Sequence, residues 1–361
     1  MGRIVFLTPQ FKASGGNRVT VELSNELAAK GFDVDIVFPD NSDKTNSLRL
    51  DKKITVYKIG RYKNNKIFKL FNLLRSFLFV RKNKKGALVI ISDPIMCIAL
   101  FFLKGLKVYR FIQGDDYGLF DDRFLIKNKL ILYIFKFLTK VSFRYKSAYL
   151  FNSRFSYDVF LRHSRRTDIQ CRIIHPAINH AVFYDKNIRP ANLINLCLIG
   201  RKHPFKGLDD FLGVWRKNRE NLSKKISRVY IISGDELSQF DLSDFELIAP
   251  DRDSQIVDIY NKSHIFISAS WNEGFSLPPL EAMACGCAVI LADSGGVNEY
   301  AVHGENCLMY EPRNREQLMA KLTQLLDSSL LIQELKLNGK MTARNFSWEK
   351  SAQGLISMIG A

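Results

Sequence analysis

HIFISASWNEGFSLPPLEAMACGCAVILAD, from His264 to Asp293, reads as strand, turn, helix and strand in one run. Each end is a short apolar segment bounded by turn residues, which suits a strand of a parallel sheet covered on both faces. Pro278 and Pro279 suit a first helical turn, and Gly286 suits the residue that ends the helix. Glu273 therefore falls in the loop at the top of the sheet, and Glu281 about one turn into the helix.

The same rhythm runs outward in both directions. Strand-like segments in the first half are Arg3 to Thr8, Asp33 to Pro39, Ala87 to Ser92, Lys107 to Gln113, Ala148 to Ser153 and Cys171 to Pro176. In the second half they are Leu193 to Gly200, Arg228 to Gly234, Phe245 to Pro250, His264 to Ser270 and Cys287 to Asp293. Alternation of such strands with amphipathic helices predicts an α/β chain of two Rossmann-like doubly wound domains with parallel sheets. A length of 361 residues fits two domains better than one. The join is placed near Asn179 to Asn192, giving domains 1–180 and 181–345 and a terminal helix over 346–361.

Charge divides the halves. Residues 1–180 carry 33 Lys and Arg against 14 Asp and Glu, whereas 181–361 carry 20 against 22. The basic half attracts phosphates, whether of nucleic acid, anionic membrane or a small molecule. The six cysteines, Cys97, Cys171, Cys197, Cys285, Cys287 and Cys307, form no CxxC pair and read as reduced core thiols. The N-terminal residues lack a signal-peptide pattern, and the longest uncharged apolar run is about half of a membrane span. A cytosolic location is expected.

From Lys52 to Ser92 there is no acidic residue but twelve Lys or Arg. Within it, helical spacing puts Ile67, Leu70, Phe71, Leu74 and Phe77 on one face, with Lys66, Lys69 and Arg75 flanking or opposing it. Such a helix either packs on the sheet or lays its apolar edge on an anionic membrane whose phosphates meet the cations. The segment from Lys127 to Lys146 repeats that composition.

Three segments carry candidate chemistry. Gly15 and Gly16 follow the first strand and open a helix, where backbone can approach an anion or simply turn; GxGxxG spacing is absent. Arg201 and Lys206, in LIGRKHPFKG, follow the first strand of the second domain, where doubly wound folds bind ligands; they suit a diphosphate or are solvated surface charge. Glu273 and Glu281 flank Phe275, Ser276 and Leu277, whose N–H groups at a helix start favour an anion, while carboxylates accept from sugar hydroxyls. Alternatively Glu281 only favours the helix start and Glu273 is solvated.

EGFSLPPLE, with its two glutamates separated by seven residues, resembles the signature of family 4 retaining glycosyltransferases. GRKHPFKG resembles that family's Arg and Lys pair, and DSGGVNEYAVHGENCLMYEP, FNSRFS, IIHPAINHAVF and NFSWEKSA are similar to its other segments. The resemblance implies a GT-B fold of two facing domains, an acceptor-binding first domain, and a last helix that crosses back to it. It implies that Arg201 and Lys206 neutralise the nucleoside diphosphate, with the Gly15–Gly16 loop closing on it. Glu281 would bind ribose hydroxyls and Glu273 the donor sugar, with amides of Phe275, Ser276 and Leu277 nearby and Glu299 in the same pocket. No metal and no cofactor beyond the nucleotide-sugar substrate are implied. Where many members have His-Asp, this chain has Gln113 followed by Asp115 and Asp116; Gln113 can orient a group but is no base. Asp115 and Asp116 are candidates for acid–base work or for helix capping.

The expectation is a retaining hexosyl- or deoxyhexosyltransferase using a UDP- or GDP-sugar and a lipid-linked glycan acceptor. It would work in cell-surface polysaccharide (O-antigen or capsule) synthesis, peripheral on the inner face of the membrane, with no nucleic-acid partner. The alternatives are a basic nucleic-acid-binding protein and a GT-B sugar-nucleotide epimerase.

Overall fold

The computed structural model describes residues 2–11, 14–41, 48–121, 128–189 and 194–360. Lys12 and Ala13 of the glycine loop, Lys127 of the second basic segment, and Pro190 to Asn192 of the proposed join with the first residue of the next strand lie outside them. The chain divides into two compact units, Met1–Pro176 with Trp348–Ala361, and Ala177–Ser347.

The first unit is built on β1 (Arg3–Leu7), β2 (Asp33–Pro39), β3 (Thr55–Ile59), β4 (Leu88–Ile91), β5 (Lys107–Ile112), β6 (Ala148–Phe151) and β7 (Cys171–Ile173). They pair in parallel in the order β3-β2-β1-β4-β5-β6-β7. The second unit has β8 (Ile194–Ile199), β9 (Ile226–Ile232), β10 (Glu246–Ile248), β11 (Ile265–Ser268), β12 (Ala288–Ala292) and β13 (Leu308–Tyr310), in the order β10-β9-β8-β11-β12-β13. Each sheet reverses its winding once, between β1 and β4 and between β8 and β11. Ligands of such sheets bind outside the carboxyl ends of the strands at that reversal.

Helices α1 (Gly15–Ala29), α2 (Lys66–Asn83), α3 (Pro94–Ile98), α4 (Lys129–Ser142) and α5 (Arg154–Ser164) connect the first sheet. In the second unit these are α6 (Leu208–Lys225), α7 (Asp253–Lys262), α8 (Leu277–Ala284), α9 (Arg315–Leu326) and α10 (Ser329–Ala343). The last helix, α11 (Trp348–Ile359), packs on α1 and β7 of the first unit, where Ser351 Oγ donates to the His175 carbonyl at 2.6 Å. The strands are apolar without alternation because both faces are covered: all four residues of β4 and all five of β12 are buried.

Two strands, β3 and β13, were not expected from sequence. β3 is a half-exposed edge strand of mixed composition, TVYKI, and β13 has only three residues. The face anticipated on α2 also divides. Phe77 sits in the core with Asn72, Ser76 and Val80, whereas Ile67, Leu70 and Phe71 are exposed. α2 packs on β2 and the 3-10 turn Leu100–Leu103, with Phe77 and Val80 in the shared core, and nearer its start the Asn72 amide donates to the Asp40 carbonyl at the end of β2. Among the described residues no helix is long and apolar enough to cross a membrane.

The cysteines are free thiols, five of them buried and Cys171 half-buried. Burial pushes the Cys97 and Cys307 thiols up to about 12. A thiol reagent at pH 8 should therefore modify Cys171 alone in the native protein and all six only after denaturation; rapid modification of several native thiols would contradict this packing.

Candidate active site

The reversal point of the second sheet brings two loops together. The first leaves β8 through Gly200, where a Cβ would lie 2.5 Å from Ile231 Cγ2. It then forms a 3-10 turn over Pro204–Lys206, entered by the Phe205 N–H donating to His203 Nδ1 at 3.2 Å. Gly207 ends the turn at φ +67, and a Cβ there would stand 1.9 Å from the Ala269 carbonyl oxygen. Only glycine allows both the left-handed backbone and the close approach to the loop after β11.

That second loop is clamped to the first. The Trp271 N–H donates to the Phe205 carbonyl at 2.8 Å, and the two rings lie 5.5 Å apart. Trp271 Nε1 donates to Asp210 Oδ2 at 2.7 Å; the other oxygen of this buried carboxylate accepts from Arg315 Nε at 3.0 Å. The Arg313 guanidinium stands over the indole at 4.8 Å. On its far side the loop is tied to the segment after β12: Glu273 N–H donates to Ser294 O, and Gly296 N–H to Glu273 O, both at 2.9 Å.

Glu273 is thereby aimed at Lys206, whose Nζ donates to Glu273 Oε1 at 2.7 Å. The lysine side chain is 37% exposed and the glutamate 16%. Arg201 points to the end of β9, its Nη1 3.2 Å from Asp235 Oδ1, and the Lys202 N–H donates to the same carboxylate at 3.0 Å. Solvent-accessible pairs of this kind contribute at most about 1 kcal/mol. They orient cations without consuming them, so a doubly charged phosphate group can displace the carboxylates.

Ser276, the residue before α8, has φ +68, a conformation costly for a residue with a side chain. Its carbonyl accepts from the Tyr300 hydroxyl at 2.8 Å. Burial, assisted by the nearby Glu273 carboxylate, raises the Tyr300 pKa and keeps that hydroxyl protonated. Pro278 and Pro279 have no N–H, so the free amide of the first turn is that of Leu277; among the described residues neither it nor the Ser276 N–H donates a hydrogen bond. Phe275 is packed against Tyr300 and Phe346. Glu281 is buried on α8; burial raises the pKa values of Tyr260, Tyr300 and Cys285, and the Glu281 charge adds to each. Glu299 is half-buried on the 3-10 turn Gly296–Glu299.

In the first unit, Gly15 and Gly16 open α1 behind the cap Ser14, whose Oγ accepts from the Asn17 N–H. A Cβ at Gly15 would meet open space, and one at Gly16 would lie 3.4 Å from Gln113 Oε1. Gln113 Nε2 is buried without a hydrogen-bond partner. The structure thus joins the glycine loop to Gln113, a pairing that sequence alone did not suggest. Asp115 is taken up by its turn: Oδ1 accepts from Tyr117 N–H at 3.1 Å and Gly118 N–H at 2.7 Å. Asp116 is buried, its Oδ2 3.5 Å from Nη2 of the fully buried Arg110, and burial pushes its carboxyl up to about 7. Capping and core neutralisation account for this pair.

Residues 185–343 match the glycosyl transferases group 1 family. This part of the chain is a group 1 glycosyltransferase domain. The D-inositol 3-phosphate glycosyltransferase of Rhodococcus erythropolis is 33% identical over 109 residues, 30% of this chain and 25% of that protein. An uncharacterized glycosyltransferase of Haemophilus influenzae is 24% identical over 97% of this chain and 98% of its own length. The chain spans between a quarter and a half of the first curated relatives it matches. Among solved structures, sucrose-phosphate synthase of Thermosynechococcus elongatus has a TM-score of 0.82 at 16% identity, covering 100% of this chain and 98% of its own. WaaG, a glycosyltransferase involved in lipopolysaccharide biosynthesis, has 0.78 at 15%, covering 99% and 100%. Anabaena HepE in complex with UDP and glucose has 0.78 at 14%, with 100% of each chain covered. These likenesses show the fold, two parallel-sheet Rossmann-like domains of the GT-B class.

Asp210, Trp271, Asp235 and Ser294 hold the two loops of this crevice and were not singled out in the sequence. A lone Trp in the polar turn SWNEG was the available signal. Gly207→Ala should destabilise the second unit by about 3 kcal/mol, from the left-handed backbone and the clash with Ala269 together. Urea denaturation measures this; an unchanged midpoint would mean that the loops do not meet at Gly207.

Proposed function

We propose that the chain is a retaining glycosyltransferase that moves a hexosyl or deoxyhexosyl group from a UDP- or GDP-sugar to a lipid-linked glycan, in cell-surface polysaccharide synthesis. The observation that carries this is Lys206 meeting Glu273 at the reversal point of a sheet inside a group 1 glycosyltransferase domain. A cation suited to phosphate and an acceptor-only carboxylate suited to sugar hydroxyls are held side by side. HepE, solved with UDP and glucose, supports a nucleotide-sugar donor.

Lys206 and Arg201 would neutralise the departing diphosphate, and the amides of Ser276 and Leu277 would add donors. Glu273, released from Lys206, would accept from donor-sugar hydroxyls, and Glu281 from those of the ribose. The bond from the anomeric carbon to phosphate oxygen breaks, and a bond to the acceptor oxygen forms on the same face. The acceptor proton passes to the departing phosphate, which needs no side-chain base and agrees with the structural roles of Asp115 and Asp116. Charge stabilisation then supplies most of the rate. Gln113, with its unpartnered amide, would orient a hydroxyl or carbonyl.

The acceptor would lie at an anionic membrane surface, which the exposed Ile67, Leu70 and Phe71 and the cations Lys66, Lys69 and Arg75 on α2 support. Polysaccharide synthesis is supported by the likeness to WaaG, whose described role is in lipopolysaccharide biosynthesis.

Released UDP or GDP, measured across a set of nucleotide sugars with a membrane extract as acceptor, tests the reading. Lys206→Ala should lower kcat about 100-fold or more, and Glu281→Ala should weaken nucleoside diphosphate binding about tenfold or more. Full activity in both variants would refute the assignment.

A further inference from the structure

On α4 the apolar residues Leu130, Tyr133, Ile134 and Phe137 follow the spacing of a helix's core-facing stripe. The structure turns that stripe outward. Leu130 is 67% exposed, Tyr133 70% and Phe137 66%, whereas the inward side holds Leu132, Thr139 and Ser142. The inward hydroxyls are used: Ser142 Oγ donates to the Thr139 carbonyl at 2.7 Å and accepts from Arg110 Nη1 at 3.1 Å. The orientation of α4 is thus fixed from within, and among the described residues nothing covers Leu130, Tyr133 and Phe137. In the same layer α3 packs against α4, and Ile95 and Phe101 are also exposed.

One turn beyond Phe137 the outward row changes character, to Lys140 and then Arg144. These border a cavity of about 240 Å³ with Arg162, His163, Ser164 and Arg165 from the end of α5. Cations at helix C-termini offset the helix dipoles, but that effect does not require four of them to converge on one cavity. Among the described residues none of Lys140, Arg144, Arg162 and Arg165 has a carboxylate within ion-pair distance, and His163 Nε2 stands 3.9 Å from Asp115 Oδ1. Lys140 Nζ lies 5.1 Å over the Tyr117 ring, which lies 4.3 Å from the His163 ring. Burial lowers the His163 pKa, and Arg162, Lys140 and Lys136 lower it further against Asp115.

We infer that the end of α4 and the end of α5 form a site for the phosphate headgroup of an anionic membrane lipid, with the α4 stripe seated at the boundary between headgroups and acyl chains. An apolar row continuing directly into an unpaired cationic cavity matches a lipid, which presents hydrocarbon and phosphate at adjacent depths. A soluble phosphate would use the cavity and leave the stripe in water. Nucleic acid would use the cations but not the aliphatic side chains. The inference rests on the proposed membrane-side acceptor and identifies a second contact, separate from α2.

The test is sedimentation of the full-length protein with vesicles of phosphatidylcholine, with or without about one-third phosphatidylglycerol, at low salt. The wild type should bind the anionic vesicles and not the neutral ones. Tyr133→Ser with Phe137→Ser, and separately Arg144→Glu with Arg162→Glu, should each weaken binding at least tenfold. Circular dichroism should show both variants folded, and their nucleoside diphosphate binding should be unchanged, because Arg201, Lys206, Glu273 and Glu281 lie in the other unit. Binding of either folded variant at wild-type strength would overturn the inference and leave the donor assignment standing. Tighter binding to a DNA oligonucleotide than to anionic vesicles would overturn it in favour of nucleic acid. Retained vesicle binding in a chain that binds no nucleotide would instead count against the donor site.

Discussion

Gly207 has no side chain, and a methyl group there would collide with the Ala269 carbonyl. That single steric allowance lets the loop after β8 lie directly against the loop after β11. Everything proposed for the second unit depends on it. The Trp271 to Phe205 hydrogen bond, the indole between Asp210 and Arg313, and the Lys206 to Glu273 pair all require the two loops at contact distance. The sheet supplies the location, since the reversal between β8 and β11 opens a crevice at the carboxyl ends of these strands.

The electrostatics of the site follow from its exposure. Lys206 and Arg201 each have a carboxylate partner, yet both remain in contact with water. Pairs of this kind add little to folding, in contrast to Asp116 and Arg110 in the first unit, which are enclosed and whose separation would leave a buried charge uncompensated. The distinction separates charges that can be handed to a ligand from charges that hold the core. Gln113, which is neutral, offers a ligand a hydrogen bond instead, since its buried amide nitrogen has no partner and its Oε1 lies beside Gly16.

Much of the architecture was legible because parallel strands covered on both faces write themselves as continuous apolar runs. Ten of the eleven segments anticipated as strands begin within one residue of the observed start, and the eleventh, Arg228 to Gly234, begins two residues late against β9 at Ile226. The edge strand β3 escaped because its exposed side chains carry no such signal, and β13 because three residues make no pattern. The faces of α2 and α4 were legible only in part, for a different reason. Helical periodicity shows that an apolar stripe exists but not whether anything covers it; Phe77 is covered, whereas Ile67 and Tyr133 are not. The motif residues of the proposed donor site stand out by their local pattern, but their partners do not. Asp235 lies 34 positions from Arg201, and Asp210 lies 61 from Trp271, distances across which only the folded sheet creates contact.

The central claim is that the crevice between the loops after β8 and β11 holds the diphosphate of a nucleotide sugar. A crystal structure of the protein with UDP or GDP tests it most directly. The account requires phosphate oxygens within hydrogen-bond distance of Lys206 Nζ and the Arg201 guanidinium, with the Lys206 to Glu273 contact opened and the ribose against Glu281. A nucleotide bound elsewhere, with Lys206 and Glu273 still paired, would contradict it.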